Sequence, residues 1–225
     1  MIRMDSTMLH VGKVTNTFFD NLFIEQIQDV TRTVHSPEKV PGPLVKKDRP
    51  WEGVPYLTCN TWNVFRDEAS GEFRFWYEDW HFDPQDFATH SRSDGGTGLP
   101  RSIHGDPYKS QMCYARSEDG LNWEKPELDY FEEDGRKTNV VFGDPGFGTV
   151  HAATILDDPL ESDPGRRYKV VYDRRFPGSQ GKQIEIACSG DGISWTPFDK
   201  TPNCGRFGPN LGDVLILTAD VDSGL

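Results

Sequence analysis

Hydrophobic and polar residues alternate in two separate stretches of the chain, residues 64–79 ("VFRDEASGEFRFWYED") and residues 155–174 ("ILDDPLESDPGRRYKVVYDR"). In each stretch a short run ends in Asp, a turn rich in Gly, Pro, Ser and acidic residues follows, and a second alternating run ends in aromatic and acidic residues. A period of two is typical of half-buried β-strands, and a turn between two such runs indicates a hairpin. The pattern therefore predicts two antiparallel hairpins.

A third alternating segment and a Trp-bearing turn follow each predicted hairpin. The segments are residues 111–117 and 183–189, and each leads into the spacing Ser-x-Asp-Gly-x-x-Trp, at residues 117–123 and 189–195. The turn supplies too few oxygen ligands for a calcium loop. Its Asp can bond to backbone amides, its Gly can take a positive φ and its Trp can pack back between sheets, so we interpret the turn as structural.

The repeated order of hairpin, third strand and turn predicts how the chain is built. Two repeats of three or four antiparallel strands favour consecutive blades of a β-propeller, with a β-sandwich as the competing architecture. A third copy begins at residues 212–225, where Asp220 and Gly224 have the separation of Asp67 and Gly71 and no returning strand follows. We therefore expect an N-terminal fragment that holds two blades and the start of a third.

The repeats divide the chain into four predicted regions. We expect an N-terminal extension with a ring-closing strand, then blade one, blade two and the start of blade three, at residues 1–47, 48–130, 131–205 and 206–225. Residues 81–110, inside blade one, form a long irregular segment that predicts either a lid over a polar site or a mobile surface loop. Unpaired blade edges would favour self-association of such a fragment.

Composition narrows the classes of partner. The formal net charge of −12 argues against nucleic acid and against anionic membrane surfaces, because both require clustered Lys and Arg. Aromatic residues make up 12% of the chain, with six Trp, while the mean hydropathy is −0.64. This combination fits a β-rich protein with a polar cleft, and it leaves neutral or cationic small molecules open as ligands, sugars among them.

Other sequence signals concern location and cofactors. The N-terminus has no apolar signal region and no run is long enough for a membrane span, so we expect a cytoplasmic protein, with secretion left open if a leader has been removed.

The four cysteines have no metal-ligand spacing, which favours reduced thiols over disulfides. Motifs for a nucleophile elbow, a phosphate loop and a dinucleotide site are absent from the sequence, and we expect no cofactor and no metal.

Several segments together resemble a known group of proteins. They are "DRPWEG" (48–53), "FRFWYED" (73–79), "YARSEDGLNWEKPEL" (114–128), "RRYKVVYD" (166–173) and "SGDGISW" (189–195). The chain resembles the five-bladed β-propeller glycosidase-like proteins related to glycoside hydrolase families 32 and 43, over roughly residues 18–225. The resemblance implies an all-β, five-bladed propeller fold, present here as about two and a half blades, and a carbohydrate substrate.

The resemblance also implies where catalytic acids would stand. In that group, three acids project into the central funnel from the first strands of successive blades. At the corresponding positions this sequence has Asn60 in the first blade, Val150 with the neighbouring His151 in the second, and Asp213 in the third. Only Asp213 is acidic, so the usual set of three acids is not present.

Glycosidic cleavage needs one group to protonate the leaving oxygen and a second to attack or to activate water. We predict Asp213 and Glu52 as the paired carboxylates, and His151 as an acid–base group or a hydrogen-bonding partner of a substrate hydroxyl. Each has a structural alternative: Asp213 as a residue that bonds to turn amides at a strand start, Glu52 as part of a surface turn, and His151 as a satisfied structural histidine.

Residues near these candidates predict the contacts of a sugar ring. Trp51 could stack on the ring, and Asp48, Arg49, Asn60 and Trp80 could line the same site. The sequence therefore favours a glycoside hydrolase-like enzyme, with a non-catalytic carbohydrate-binding propeller or an inactive fragment as alternatives.

Two further sets of residues are weaker candidates. Glu78 and Asp173 end equivalent strands in the two repeats, and this equivalence favours a structural role for both. The spacing of His81, His90 and His104 matches no defined metal motif.

Overall fold

The computed structural model describes residues 21, 24, 26–56, 63–81, 109–143, 149–175, 183–198 and 216–217. The chain divides into two compact units, residues 1–42 and residues 43–225. The described residues of the first unit form neither helix nor strand, and they expose the side chains of Ile27, Val30 and Val34. No helix in the described part of the chain has the length and apolar character needed to cross a membrane.

The second unit is built from β-strands, with no α-helix among its described residues. In chain order the strands are β1 (Val54–Tyr56), β2 (Asn63–Arg66), β3 (Phe73–His81), β4 (Lys109–Ser117), β5 (Leu128–Glu133), β6 (Arg136–Thr138), β7 (Val140–Phe142), β8 (Thr149–Asp157), β9 (Tyr168–Arg175), β10 (Gln183–Ser189) and β11 (Thr196–Pro197). The expectation of an all-β protein is therefore confirmed.

The first sheet contains five strands, because β1 and β2 lie one after the other along the same edge of β3. Beyond β3 the order continues through β4 to β7, and each neighbouring pair is antiparallel. The hairpin predicted for residues 64–79 is confirmed, with Val64 opposite Phe75. β7 falls within the range predicted for the second blade, yet it pairs with β4 of the first sheet.

The second sheet is a four-stranded antiparallel meander in the order β8, β9, β10, β11. It confirms the second predicted hairpin, with Ile155 opposite Val170, and its third strand, β10, spans the predicted residues 183–189. Between β8 and β9 the chain makes one 3-10 turn, Pro164–Arg166, in which the Asp163 side chain accepts the Gly165 amide.

The two sheets pack face to face around a buried aromatic core. Phe142 of the first sheet contacts Tyr172 of the second edge-to-face, with ring centroids 4.6 Å apart, and Trp76 meets Tyr168 at 5.6 Å. Such pairs stabilise a core beyond their simple area of burial. Two packed antiparallel sheets agree with adjacent propeller blades and equally with a sandwich, so the five-bladed closure stays a prediction.

The first sheet is covered on its other face as well. There Trp51, Phe75, Tyr77, Cys113 and Val140 form a second buried cluster. Because side chains alternate between the two faces of a strand, β3 carries core residues on both sides and is buried from Phe75 to Trp80. This double burial explains why polar side chains near the end of β3 are enclosed and hydrogen-bonded.

Asn63 joins the two sheets through its side-chain amide. Its Nδ2 donates to the carbonyl of Ala153 at 3.0 Å, and its Oδ1 accepts the Ile155 amide at 2.8 Å. The side chain thus bonds to β8 as the backbone of a neighbouring strand would, and the two buried backbone groups are satisfied.

The predicted Trp-bearing turn occurs in both sheets. At residues 117–123, Ser117 Oγ accepts the Gly120 amide at 2.9 Å, and Asp119 Oδ1 accepts the amides of Leu121 and Asn122 at 2.8 and 2.7 Å. Gly120 has φ +73°, and the Trp123 indole donates to its carbonyl at 3.1 Å. The structural interpretation of the motif is confirmed.

Candidate functional site

Polar side chains, most of them buried, collect where β3 ends and where β4 and β8 begin. We name this group the polar rim, and its members are Glu78, Asp79, Trp80, His81, Gln111 and His151. Glu78 and Trp80 face β8, whereas Asp79 and His81 face the opposite side of the first sheet, because successive side chains of a strand alternate.

The Glu78 carboxylate is the centre of the group that faces β8. Its Oε2 lies 3.2 Å from Nδ1 of His151 and accepts the Trp80 indole N–H at 2.8 Å, and its Oε1 accepts the Ala153 amide at 3.2 Å. Glu78 is 1% exposed and His151 is 8% exposed. A buried carboxylate needs hydrogen bonds or an opposite charge, and this arrangement provides both when the imidazole is protonated.

The backbone of β8 is distorted beside His151. The register with β9 shifts between His151 and Thr154, and Ala152 has φ +51° although it is fully buried. A left-handed conformation costs a non-glycine residue about 1–2 kcal/mol. The bulge turns the Ala153 amide toward Glu78, so the local strain accompanies the contacts that hold the Glu78–His151 pair.

A second carboxylate–imidazole pair lies on the opposite face. Asp79 Oδ2 is 2.9 Å from Nε2 of His81, and it accepts the Gly53 amide at 2.9 Å and the Gln111 side-chain amide at 3.2 Å. Asp79 is completely buried, while about a quarter of the His81 side chain is exposed. The end of β3 therefore carries two different histidine–carboxylate pairs, one on each face.

The structure places Glu52, predicted as a catalytic carboxylate, in a separate buried network. Its Oε1 accepts Tyr77 Oη at 2.8 Å and Lys125 Nζ at 2.6 Å, and its Oε2 accepts the amides of Asp48 and Arg49, each at 3.0 Å. Glu52 is 1% exposed, and both of its oxygens are fully engaged. These contacts favour a structural role over proton transfer to a substrate, because neither oxygen is open to a ligand.

The same network raises the pKa of the Tyr77 phenol well above its usual value. Burial is the main cause, and the nearby Cys113 and the Glu52 carboxylate add to it, since each disfavours a second negative charge. Tyr77 therefore donates to Glu52 as a neutral phenol, which fits a hydrogen bond that holds the fold together.

The predicted sugar-binding residues around Glu52 also hold the chain in place. Trp51 is 5% exposed and donates its indole N–H to Asn139 Oδ1 at 2.8 Å, so its ring lies in the core and not on an open surface. Asp48 bonds to Lys125 at 2.9 Å, and Arg49 donates to the Lys125 carbonyl at 3.5 Å. The burial of Trp51 favours packing over stacking on a sugar.

The structure thus brings together two of the predicted residues, His151 and Trp80, through Glu78. Asn60 and Asp213 lie outside the described residues. Sequence reasoning misses the contribution of Glu78, because its equivalence with Asp173 favours a structural role for both. A usable signal was present, since Glu78 alternates in phase with Trp76 and Trp80 on one face of β3.

No cluster suited to a metal ion stands out in the described ranges. Among those residues, no three or more His, Cys, Asp and Glu side chains are arranged to share a metal ion. The two cysteines that the structure describes, Cys113 and Cys188, are buried free thiols. Burial raises the pKa of the Cys113 thiol well above its usual value, and nearby Asp79 and Glu52 raise it further, which makes this thiol a poor nucleophile.

Comparison with models of known protein families gives no match, and comparison with curated proteins gives no significant match. Among solved structures, the chain is similar to a "putative glycoside hydrolase" from Parabacteroides distasonis, with 19% sequence identity and a TM-score of 0.36. The similarity covers 66% of this chain and spans 36% of that protein's length. A likeness at this TM-score assigns neither a fold nor an activity to the chain.

Proposed function

We propose that the chain belongs to a glycoside hydrolase-like protein that cleaves a carbohydrate at the polar rim, with its two sheets as blades of a five-bladed propeller. The sequence motifs shared with the propeller glycosidase-like proteins support this proposal. The observation that carries it is the buried Glu78–His151 pair, with His151 on β8, the first strand of the second sheet. First strands of successive blades are the positions from which the resemblance implies that catalytic groups project.

The proposed chemistry needs a proton donor for the leaving oxygen and a second group that attacks or activates water. His151 is the donor in this proposal, because an imidazole exchanges protons near neutral pH and Glu78 both orients it and balances its charge. Asp213 is the predicted second group. Glu78 does not contact the substrate in this scheme, and we assign it a positioning role.

The remaining predicted site residues have three different roles. Trp80 bonds to Glu78 and packs edge-to-face on His151 with ring centroids 5.1 Å apart, so it helps to fix the imidazole. Asp48 is exposed, and together with Asn60 it stays a proposed partner of sugar hydroxyls. Glu52 and Trp51 are assigned to the framework because of their burial and their hydrogen bonds.

A matched pair of substitutions tests the proposal. Glu78→Gln and Glu52→Gln make the same change at two carboxylates that are equally buried. With the full chain and a panel of 4-nitrophenyl glycosides, we expect Glu78→Gln and His151→Gln each to lower kcat/KM by about 10²-fold or more. Glu52→Gln should keep kcat/KM within about threefold at temperatures where it is folded, while its unfolding midpoint falls.

The opposite pattern would remove the proposal. Unchanged kcat/KM in folded Glu78→Gln and His151→Gln variants would show that the pair has no part in cleavage. If the protein binds oligosaccharides but releases no reducing sugar from any of them, the non-catalytic carbohydrate-binding alternative replaces the enzyme.

A further inference from the structure

The second histidine–carboxylate pair of the polar rim combines a fully enclosed acid with an accessible base. Asp79 is 0% exposed, whereas 26% of the His81 side chain is exposed, and Asp79 Oδ2 lies 2.9 Å from His81 Nε2. This asymmetry is what a ligand-binding histidine needs, with one ring nitrogen fixed by the protein and the ring edge open to solvent.

The donors and acceptors around Asp79 determine which ring nitrogen of His81 carries the proton. The Gln111 side-chain nitrogen has two N–H groups, and it lies 3.2 Å from Asp79 Oδ2 and 3.5 Å from the Trp51 carbonyl. The ionised Asp79 carboxylate can only accept, so its 2.9 Å contact requires a proton on His81 Nε2, which donates to Asp79 Oδ2. The 3.1 Å contact between Gln111 and His81 Nε2 then joins two donors and is not a hydrogen bond.

This tautomer leaves the lone pair of His81 Nδ1 as an acceptor. No residue in the described part of the chain is hydrogen-bonded to Nδ1. Asp79 Oδ1 is likewise buried and without a hydrogen-bond partner among the described residues, so the carboxylate depends on the partners of its Oδ2, His81 among them. Asp79 therefore keeps His81 in one orientation and one tautomer.

We infer that His81 is a further substrate-binding residue, whose Nδ1 accepts a hydrogen bond from a hydroxyl group of an uncharged carbohydrate. The ligand class follows from the chemistry: Nδ1 is an acceptor that suits an O–H donor, and the chain's net charge of −12 disfavours anions. Asp79 and Gln111 are positioning residues that act through His81. The inference rests on the proposed function, because it names a second contact to the same class of substrate.

The tautomer can be tested without any ligand. With ¹⁵N-labelled histidine in the full chain, we expect the His81 signals of a neutral ring protonated on Nε2. A ring protonated on Nδ1 would overturn the inference, because that nitrogen would then donate to a ligand and not accept from it. An assignment through the loss of one signal in His81→Gln keeps this readout independent of activity.

The binding step is tested with a matched pair of lysine variants. His81→Lys keeps N–H groups that can reach Asp79 and has no acceptor, whereas a glutamine would bring its own acceptor oxygen. His35→Lys makes the same change at an exposed histidine of the first unit. With methyl glycosides as probes, we expect His81→Lys to raise Kd about three- to tenfold through the loss of one hydrogen bond, and His35→Lys to leave Kd unchanged.

The outcomes separate this inference from the proposed function. If methyl glycosides bind and His81→Lys weakens their binding while no glycoside is cleaved, the His81 contact stands and the catalytic proposal fails. If glycosides are cleaved and folded His81→Lys shows the KM and kcat of the unchanged protein, the inference about His81 fails and the catalytic proposal stands.

Discussion

The turns at residues 117–123 and 189–195 have the same internal hydrogen bonds but different surroundings. In the second turn, Ser189 Oγ accepts the Gly192 amide at 2.9 Å, and Asp191 Oδ1 accepts the next two amides at 2.8 and 2.7 Å, the distances found in the first turn. Gly192 has φ +76°, close to the +73° of its counterpart. Local sequence alone reproduces this geometry twice.

The surroundings differ because only the second turn is inserted between the sheets. The Gly192 carbonyl accepts the indole N–H of Trp76 at 2.6 Å as well as that of Trp195 at 3.1 Å. Trp195 is buried in the core between the sheets, whereas Trp123 is partly buried on the far face of the first sheet. The motif thus specifies a turn, and its position in the fold determines how much of the global stability depends on it.

Removing the two tryptophans should separate these roles most strongly. We expect Trp195→Ala to lower the free energy of unfolding by about 3–5 kcal/mol, because it opens a cavity in the inter-sheet core. Trp123→Ala should cost about 1–2 kcal/mol, since that ring retains solvent contact. Urea unfolding followed by circular dichroism measures both, and equal losses would contradict the comparison.

The two glycines provide a finer test. A Cβ on Gly192 would lie 2.5 Å from Cζ2 of the fully buried Trp76, while a Cβ on Gly120 would meet the Phe73 ring at an ordinary 3.7 Å. We expect Gly120→Ala to cost about 1 kcal/mol from its positive φ alone, and Gly192→Ala about 2–4 kcal/mol from strain and overpacking together. A Gly120→Ala loss equal to or larger than that of Gly192→Ala, in the same urea titration, would show that the surroundings do not matter.

The two aspartates should differ in how much stability the protein loses from each of them in acid. Backbone and side-chain hydrogen bonds from Asn122 lower the pKa of Asp119. At Asp191, burial raises the pKa, but hydrogen bonds from the amides of Ser194 and Ile193 outweigh the effect of burial. The pKa of Asp191 is therefore also lowered. A carboxyl group whose pKa is lower in the folded than in the unfolded protein stabilises the fold when the pH is above its unfolded-state pKa of about 3.9. This stability is lost as the pH falls through the folded-state pKa.

We therefore expect Asp119→Asn and Asp191→Asn each to make the acid-induced loss of stability less steep below about pH 4. The effect of Asp119→Asn should be the larger, because burial works against the shift at Asp191. Unfolding midpoints measured from neutral pH down through that range test this order. A slope that neither substitution alters would show that these carboxylates do not contribute to the acid dependence.

Local pattern was sufficient for the parts of the fold that repeat. Alternation identified β3 and β9 with their hairpin partners, and the turn spacing identified the ends of β4 and β10. The bulge at Ala152 could not be predicted, because nothing in "HAAT" marks a positive φ, and the contacts that favour it come from the other sheet.

The candidate site was predicted only in part, for the same reason. The sequence singles out His151 because the two repeats differ at that position. The repeats agree at its partner Glu78, which favours a structural role there, and the contact joins residues 73 positions apart. Glu52 is predicted as a catalytic carboxylate, with a surface turn between Pro50 and Gly53 as the alternative, but Lys125, also 73 positions away, encloses it. Long-range pairs of this kind are not encoded in local periodicity.

The hydrogen bond that the Asn63 side chain makes between the two sheets can be followed by a separate measurement. Because its side chain, and not a strand, accepts the Ile155 amide, that proton can exchange with solvent only when Asn63 moves away from β8. The exchange rate of the Ile155 amide therefore reports the separation of the two sheets independently of the unfolding of either sheet. Under the proposed function, a carbohydrate bound at the polar rim should slow the exchange of this proton.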